Sequence, residues 1–388
     1  MKLPREAVLA FRLTRHHLVQ RLPAGSAQRA AGVIGFQDTP RGSAALALAA
    51  RVDGVTLFEL ADALESGTLV NVWAMRGAPH MVPSADVALF TRGLLPDTEE
   101  DLRAFLPGVV EALEATCISA SDLVQRTAAG LHNVLGDRVL DKDQVGQQIS
   151  RHLTATWKPA KSSAWKAPSW YAPRQTLGES MVRFALPVTS LMGLIRLVPL
   201  RSGKTGLRRS EPAELRDARA ELLRRYLRCN GPSSAGMFAA WAGIGLRQAQ
   251  ATWSLLDREL SDVLVEGAPV HLLSSDMLGV RAARLPQGVQ VLPPHDPYLT
   301  VRDRALLLPD VRRHRVMWRT AGNPGGLLVD GQLAGAWRAR KQGSTLHITV
   351  EAWAALPRGD VCGALQALGP LRGCQSVVVT FPSSPARS

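Results

Sequence analysis

A chain of 388 residues that is 46% hydrophobic is long enough for two or three domains of roughly 100 to 200 residues, which excludes an intrinsically disordered protein. Its 46 Lys and Arg against 33 Asp and Glu leave a formal charge of +13, so the favoured large partner is a polyanion, nucleic acid or an anionic membrane surface. Cys117, Cys229, Cys362 and Cys374 lie far apart with no C-x-x-C pair, which disfavours a zinc site and a disulfide framework and suits a reducing cytoplasm.

At the amino terminus Arg12, Arg15, His16 and His17 interrupt the apolar stretch that a signal peptide would need. Val8, Phe11, Leu18 and Leu22 instead recur near one helical face, with Pro4 at the first turn. Further helices are expected from Ser26 towards Phe36, from Gly42 to Arg51 and from Thr56 to Glu65, the last stopped by Gly67. Thr68 to Trp73 and His80 to Val82 then read as strands around a turn at Arg76-Gly77-Ala78-Pro79. Helices followed by a two-stranded hairpin are the sequence pattern of a winged helix-turn-helix.

The pattern returns twice. Ser121 to Leu135, Asp143 to Leu153 and Leu177 to Leu197 read as helices, and Ile195 to Arg209 as a second wing turning at Gly203-Lys204. Leu215, Ala218, Leu222 and Tyr226 open a third copy, ended by Gly231-Pro232; short helices follow around Phe238 and Trp241 and around Ala249, Trp253 and Leu256. Val263 to Val265 and Val270 to Leu273, joined by Glu266-Gly267-Ala268-Pro269, make its hairpin. The outward face of the helix carrying Trp253 shows Arg247, Gln250, Ser254 and Arg258, side chains suited to phosphates and base edges or to a solvated face.

Beyond residue 281 the chain turns β-rich, with strands at Val289 to Leu292, Leu327 to Val329, Ala334 to Arg338, Thr345 to Val350 and Val377 to Phe381. The expected class is α+β, mainly helical: three tandem winged helix-turn-helix units at 1–95, 96–210 and 211–280, then a β-containing region at 281–388. The longest uncharged run, Cys229 to Leu246, is rich in Gly, Ser and Pro and lacks the roughly 20 apolar residues of a spanning helix. A soluble, cytoplasmic, nucleoid-associated bacterial protein is expected, monomeric and with no membrane partner.

No G-x-S-x-G, Walker loop, H-E-x-x-H or Gly-rich dinucleotide fingerprint is present, and the histidines are scattered. No metal and no cofactor are expected. Three stretches stand out. Gly35-Phe36-Gln37-Asp38-Thr39-Pro40-Arg41-Gly42-Ser43 places an amide, a carboxylate and a hydroxyl between two apolar helices, for chemistry or for capping of the second helix by Thr39 or Asp38. Pro293-Pro294-His295-Asp296-Pro297-Tyr298 leads into Arg302-Asp303-Arg304, whose arginines could meet phosphates while Tyr298 packs or stacks, or which could close a surface salt bridge on a proline-rich turn. Between Trp157 and Arg174, Lys158, Lys161, Lys166 and Arg174 alternate with Trp165, Trp170 and Tyr171, as in a nucleic-acid contact loop or an inter-domain linker.

With the wing Arg76-Gly77-Ala78-Pro79-His80-Met81-Val82-Pro83, the segment Tyr226 to Trp241, Asn323-Pro324-Gly325, Val329-Asp330-Gly331 and Gly335-Ala336-Trp337-Arg338, these stretches resemble the AlkZ/YcaQ-like family of bacterial DNA glycosylases over most of the chain. The resemblance implies tandem winged helices around a basic concave cleft and excision of bulky or crosslinking N-alkylated purines such as N7-alkylguanine from duplex DNA, in some settings as toxin self-resistance. It also implies a catalytic Gln-φ-Gln or Gln-φ-Asp triplet. In one register the second Gln falls on Gln37 and the first position is Gly35; in the other the triplet reads Gln37, Asp38, Thr39. Gln37 would orient a water and Asp38 accept its proton or oppose the positive sugar. The role requires the Gln37 amide to be open to the nucleoside. DNA would be held by Arg41, Arg76, Lys204, Arg247, Gln250, Arg302 and Arg304. The alternative function is a non-catalytic winged-helix transcriptional regulator.

Overall fold

The computed structural model describes residues 1–156, 159–200 and 202–382. The chain folds as two compact units, each drawn from separate stretches: Met1–Leu69, Arg224–Met237 and Leu256–Ser388 in the first, Val70–Leu223 and Phe238–Leu255 in the second.

One order of elements recurs along the chain: helix, short strand or bridge, two helices, hairpin. Its first occurrence is Ala27–Ile34, Phe36–Gln37, Ser43–Ala49, Leu57–Glu65 and the strands Leu69–Trp73 and Pro79–Pro83. Its second is Ala120–Leu135, Leu140–Asp141, Lys142–Thr156, Leu177–Leu191 and the hairpin Ile195–Pro199 with Thr205–Arg209, with an additional helix, Pro159–Lys166, inserted between the two helices of the pair. Its third is Ala218–Asn230, the bridging residue Ser233, Ala235–Ala242, Leu246–Ser254 and the hairpin Leu260–Val265 with Ala268–Leu273. In the second and third occurrences the short strand or bridge ahead of the helix pair returns to the hairpin, Leu140 opposite Leu207 and Ser233 opposite His271.

Local chemistry sets these boundaries. Thr56 and Glu59 form a reciprocal capping box that starts Leu57–Glu65, which satisfies two amides that a helix start leaves without partners. The third hairpin turns through Glu266 and Gly267, both at positive φ (49° and 81°), the geometry that lets a two-residue loop follow the strand twist. The helix expected to reach Leu197 stops at Leu191, and Gly193 at φ 80° turns the chain into the strand that follows. The helix expected to reach Phe36 ends at Ile34, because Gly35 at φ 72° redirects the backbone into an extended pair, Phe36–Gln37.

In the first unit, helix Arg5–Arg15 buries Val8, Leu9, Phe11 and Leu13 in one core with Leu272, Val280, Leu292, Leu307 and Leu328. Ahead of it the two-residue strand Lys2–Leu3 pairs in parallel with Leu260–Val265. The β-rich tail is a five-stranded sheet in the order Val289–Leu292, Gly325–Val329, Gln332–Gln342, Thr345–Ala352 and Ser376–Thr380. Its first four strands are antiparallel, and the last is parallel to its neighbour after the crossover helix Arg358–Gln366. Trp337, Leu346, Ile348, Val350, Val361 and Leu365 fill the space under that helix.

In the second unit, helices Ala120–Leu135, Lys142–Thr156 and Leu177–Leu191 pack together. Of the basic and aromatic stretch at 157–174, Trp157 and Lys158 lie outside the described residues. Trp165 is fully buried, its Nε1 donating to the Ser150 carbonyl at 3.2 Å, and Tyr171 sets its ring edge-on to Phe184 at 5.0 Å. Trp165 and Tyr171 therefore serve packing, while Trp170 is 52% exposed. Among the described residues no helix is long and apolar enough to cross a membrane, and no group of three or more His, Cys, Asp and Glu could hold a metal ion.

Candidate functional site

The loop between helices Ala27–Ile34 and Ser43–Ala49 is built around one carboxylate. Oδ1 of Asp38 accepts from the Gly42 amide at 2.7 Å and the Ala44 amide at 3.2 Å. It thereby caps the following helix from outside its first turn. Of the two capping candidates, Asp38 does the capping, and Thr39 is exposed. Oδ2 has no hydrogen-bond partner among the described residues, and Asp38 is half-buried. Gln37, one residue earlier on the short strand, is buried at 7% exposure, less open than its expected water-orienting role requires. Arg41 is exposed, and its carbonyl accepts from Arg372 at 3.1 Å.

The far end of helix Ser43–Ala49 is fixed as firmly. Arg51, 1% exposed, donates to both oxygens of Asp296, 1% exposed, at 2.8 Å each, and to the Ala47 carbonyl at 2.9 Å. Its guanidinium lies 5.2 Å from the ring centre of Phe36. Asp296 also accepts from the Tyr298 amide at 2.9 Å.

On helix Arg5–Arg15 a second buried arginine repeats the device: Arg12 donates to both oxygens of Asp303, at 2.9 and 2.6 Å, and to the carbonyls of Gly231 and Pro232. Burial disfavours the Arg12 charge, yet Asp303 outweighs it and the Arg12 pKa ends raised. The salt bridge expected at the surface of this turn is therefore buried. Tyr298 packs in the interior, edge-on to His16 at 5.8 Å, and burial raises its pKa.

Beside these clasps stand Arg302 and Arg304. The Nε of Arg302 is buried without a partner among the described residues, and burial followed by the neighbouring Arg304 lowers its pKa. Arg304 lies 5.2 Å over the Trp318 ring, and burial lowers its pKa too. Neither cation has a carboxylate bound to it among the described residues.

The remaining DNA-contact candidates lie in the second unit. Arg76 is half-buried at φ 58° and donates to the Trp241 carbonyl. Lys204 reaches Asp141 at 3.2 Å and stays largely exposed. Arg247 is tied to Asp101 and donates to Thr98 at 2.7 Å, whereas Gln250 is exposed with no side-chain partner among the described residues. Sequence reasoning missed both buried Arg–Asp pairs. The Arg51 pair had one signal, an arginine just beyond an Ala- and Leu-rich helix, since a charge in such a setting requires a carboxylate.

A family model described as DNA glycosylase AlkZ-like matches residues 30–371. The chain belongs to the AlkZ-like DNA glycosylase family. Among solved structures, this glycosylase is similar to the Streptomyces sahachiroi DNA glycosylase AlkZ, with a TM-score of 0.74, 18% sequence identity and coverage of 98% of this chain and 100% of that one. That likeness speaks to the fold. No curated protein matches the sequence. Membership of the family makes DNA the substrate polymer.

Proposed function

We propose that the chain is a monofunctional glycosylase that hydrolyses the N-glycosidic bond of bulky N-alkylated purines, N7-alkylguanine in particular, in duplex DNA. The observation that carries the chemistry is Asp38: one oxygen is immobilised by two backbone amides, and the other makes no hydrogen bond among the described residues. A carboxylate oriented in this way can take a proton from an attacking water or oppose the positive sugar. An N7-alkylated guanine is already cationic and leaves without a general acid, so one base and one amide suffice. The amide would come from Gln37, whose burial at 7% exposure means that it must become accessible before it can orient a water. The 35–43 loop contains no lysine, which supports hydrolysis without a Schiff base or strand cleavage.

The recurring helix–strand–helix–helix–hairpin order supports reading the segments 1–95, 96–210 and 211–280 as winged helix-turn-helix units. Arg302 and Arg304 are proposed to meet backbone phosphate, with Arg41, Lys204 and Gln250 adding further contacts. Arg76, Lys204 and Arg247 would first have to give up the partners they hold.

The test is release of free N7-alkylguanine from an alkylated duplex. Asp38→Asn keeps a capping oxygen and loses the base, so release should slow by about 10²-fold or more with DNA affinity unchanged. Gln37→Ala should also slow release more than it weakens binding. Wild-type protein that frees no base, or an Asp38→Asn variant as fast as wild type, ends the proposal. The burial of Gln37 favours a second reading, a non-catalytic DNA-binding regulator; a sequence-specific footprint without base release would select it.

A further inference from the structure

We infer that Arg51 and Asp296 are positioning residues that fix the Gln37–Asp38 loop to the segment carrying Arg302, and their effect on catalysis rests on the function proposed above.

Helix Ser43–Ala49 is held at both ends: Asp38 caps its start and the Arg51 fork closes its end onto Asp296. The same guanidinium lies over Phe36, the residue before Gln37. One buried cation therefore touches the strand that enters the loop and the helix that leaves it. On the other side, Asp296 begins the turn Pro297–Thr300, and two residues beyond that turn stands Arg302, with Asp303 clasped by Arg12.

The energetics of buried pairs point the same way. Apolar residues of similar volume commonly match or exceed the stability that a buried ion pair provides. What they cannot reproduce is the orientation imposed by two parallel charge-assisted hydrogen bonds. At this place orientation is what a water-directing loop needs, because a misplacement of about 1 Å costs roughly 100-fold in rate.

The experiment uses the full chain with Arg51→Met and Asp296→Leu combined, which removes both charges and leaves neither orphaned. Amide exchange is followed at Gly42 and Ala44, the donors to Asp38, together with melting temperature, DNA affinity and single-turnover release of N7-alkylguanine. The expected result is a near wild-type melting temperature and affinity, exchange at both amides faster by about tenfold, and release slower by roughly 10- to 100-fold. Arg51→Lys keeps the charge without the fork; it should shift exchange and rate in the same direction, and it carries the test should the double variant fail to fold. Wild-type exchange at Gly42 and Ala44 together with wild-type release overturns the inference. Should wild-type protein release no base, the proposed reaction fails, and exchange at the two amides still decides whether the pair positions the loop.

Discussion

His16 shows how strongly the interior of the first unit constrains a single side chain. Fully buried, it places Nε2 3.2 Å from the Asn230 side-chain oxygen, and burial, reinforced by Arg51, pushes its pKa down to about 3. An unfolded histidine ionises near 6.5, so between pH 6.5 and 3 the unfolded chain takes up a proton that the folded chain refuses. The resulting penalty is absent above pH 6.5 and grows as the pH falls toward 3, reaching about 3 kcal/mol by pH 4. Urea unfolding at pH 7 and pH 4 should show His16→Gln losing less stability on acidification than wild type by about that amount; equal losses would refute it. Neither this burial nor that of Gln37 was legible in the sequence. In the sequence His16 only interrupted an apolar stretch and Gln37 read as a group open to substrate; the packing of His16 against Asn230 and Tyr298 is tertiary. Asp38 was legible in part, since the spacing from a short acid to a helix start already implied a cap.

Elements were more readable than residues, because their signals are local. The three hairpins, the Thr56 helix start and the β-rich tail follow from turn chemistry and periodicity close to each boundary. The strand Lys2–Leu3 and the crossover helix Arg358–Gln366 escaped sequence reasoning, the first because two residues carry no period and the second because its stripe is weak. Two helical glycines make the difference between local and tertiary demands measurable. A Cβ on Gly178 would fall 2.1 Å from the Trp165 ring, whereas one on Gly363 meets nothing within 4 Å. Gly178→Ala should therefore destabilise by about 1–3 kcal/mol through overpacking, while Gly363→Ala should stabilise by up to ~1 kcal/mol through helix propensity. Thermal or urea unfolding of the two variants checks both signs, and equal shifts would contradict the argument.

Across the whole molecule the charge of +13 is partly committed before any ligand arrives: Arg12, Arg51, Arg219, Arg224 and Arg247 are all engaged with carboxylates. Arg302 and Arg304 show no such engagement among the described residues, so their contribution to DNA binding should be electrostatic and blind to sequence. Replacing either with Ala should weaken binding to every duplex alike and flatten the slope of log affinity against log salt by about 0.9 for each phosphate left without its cation. An unchanged slope in a salt titration would assign both side chains to structure. The composition made a polyanion the favoured partner, but the division of cations between internal pairs and open ones was invisible without coordinates. The first strand also imposes an order in time. Lys2 and Leu3 take their places beside Leu264 and Val265, residues that the ribosome joins long after them. That strand must therefore wait, unzipped, until residues 264 and 265 have been made, and the first unit closes only when its later stretches emerge.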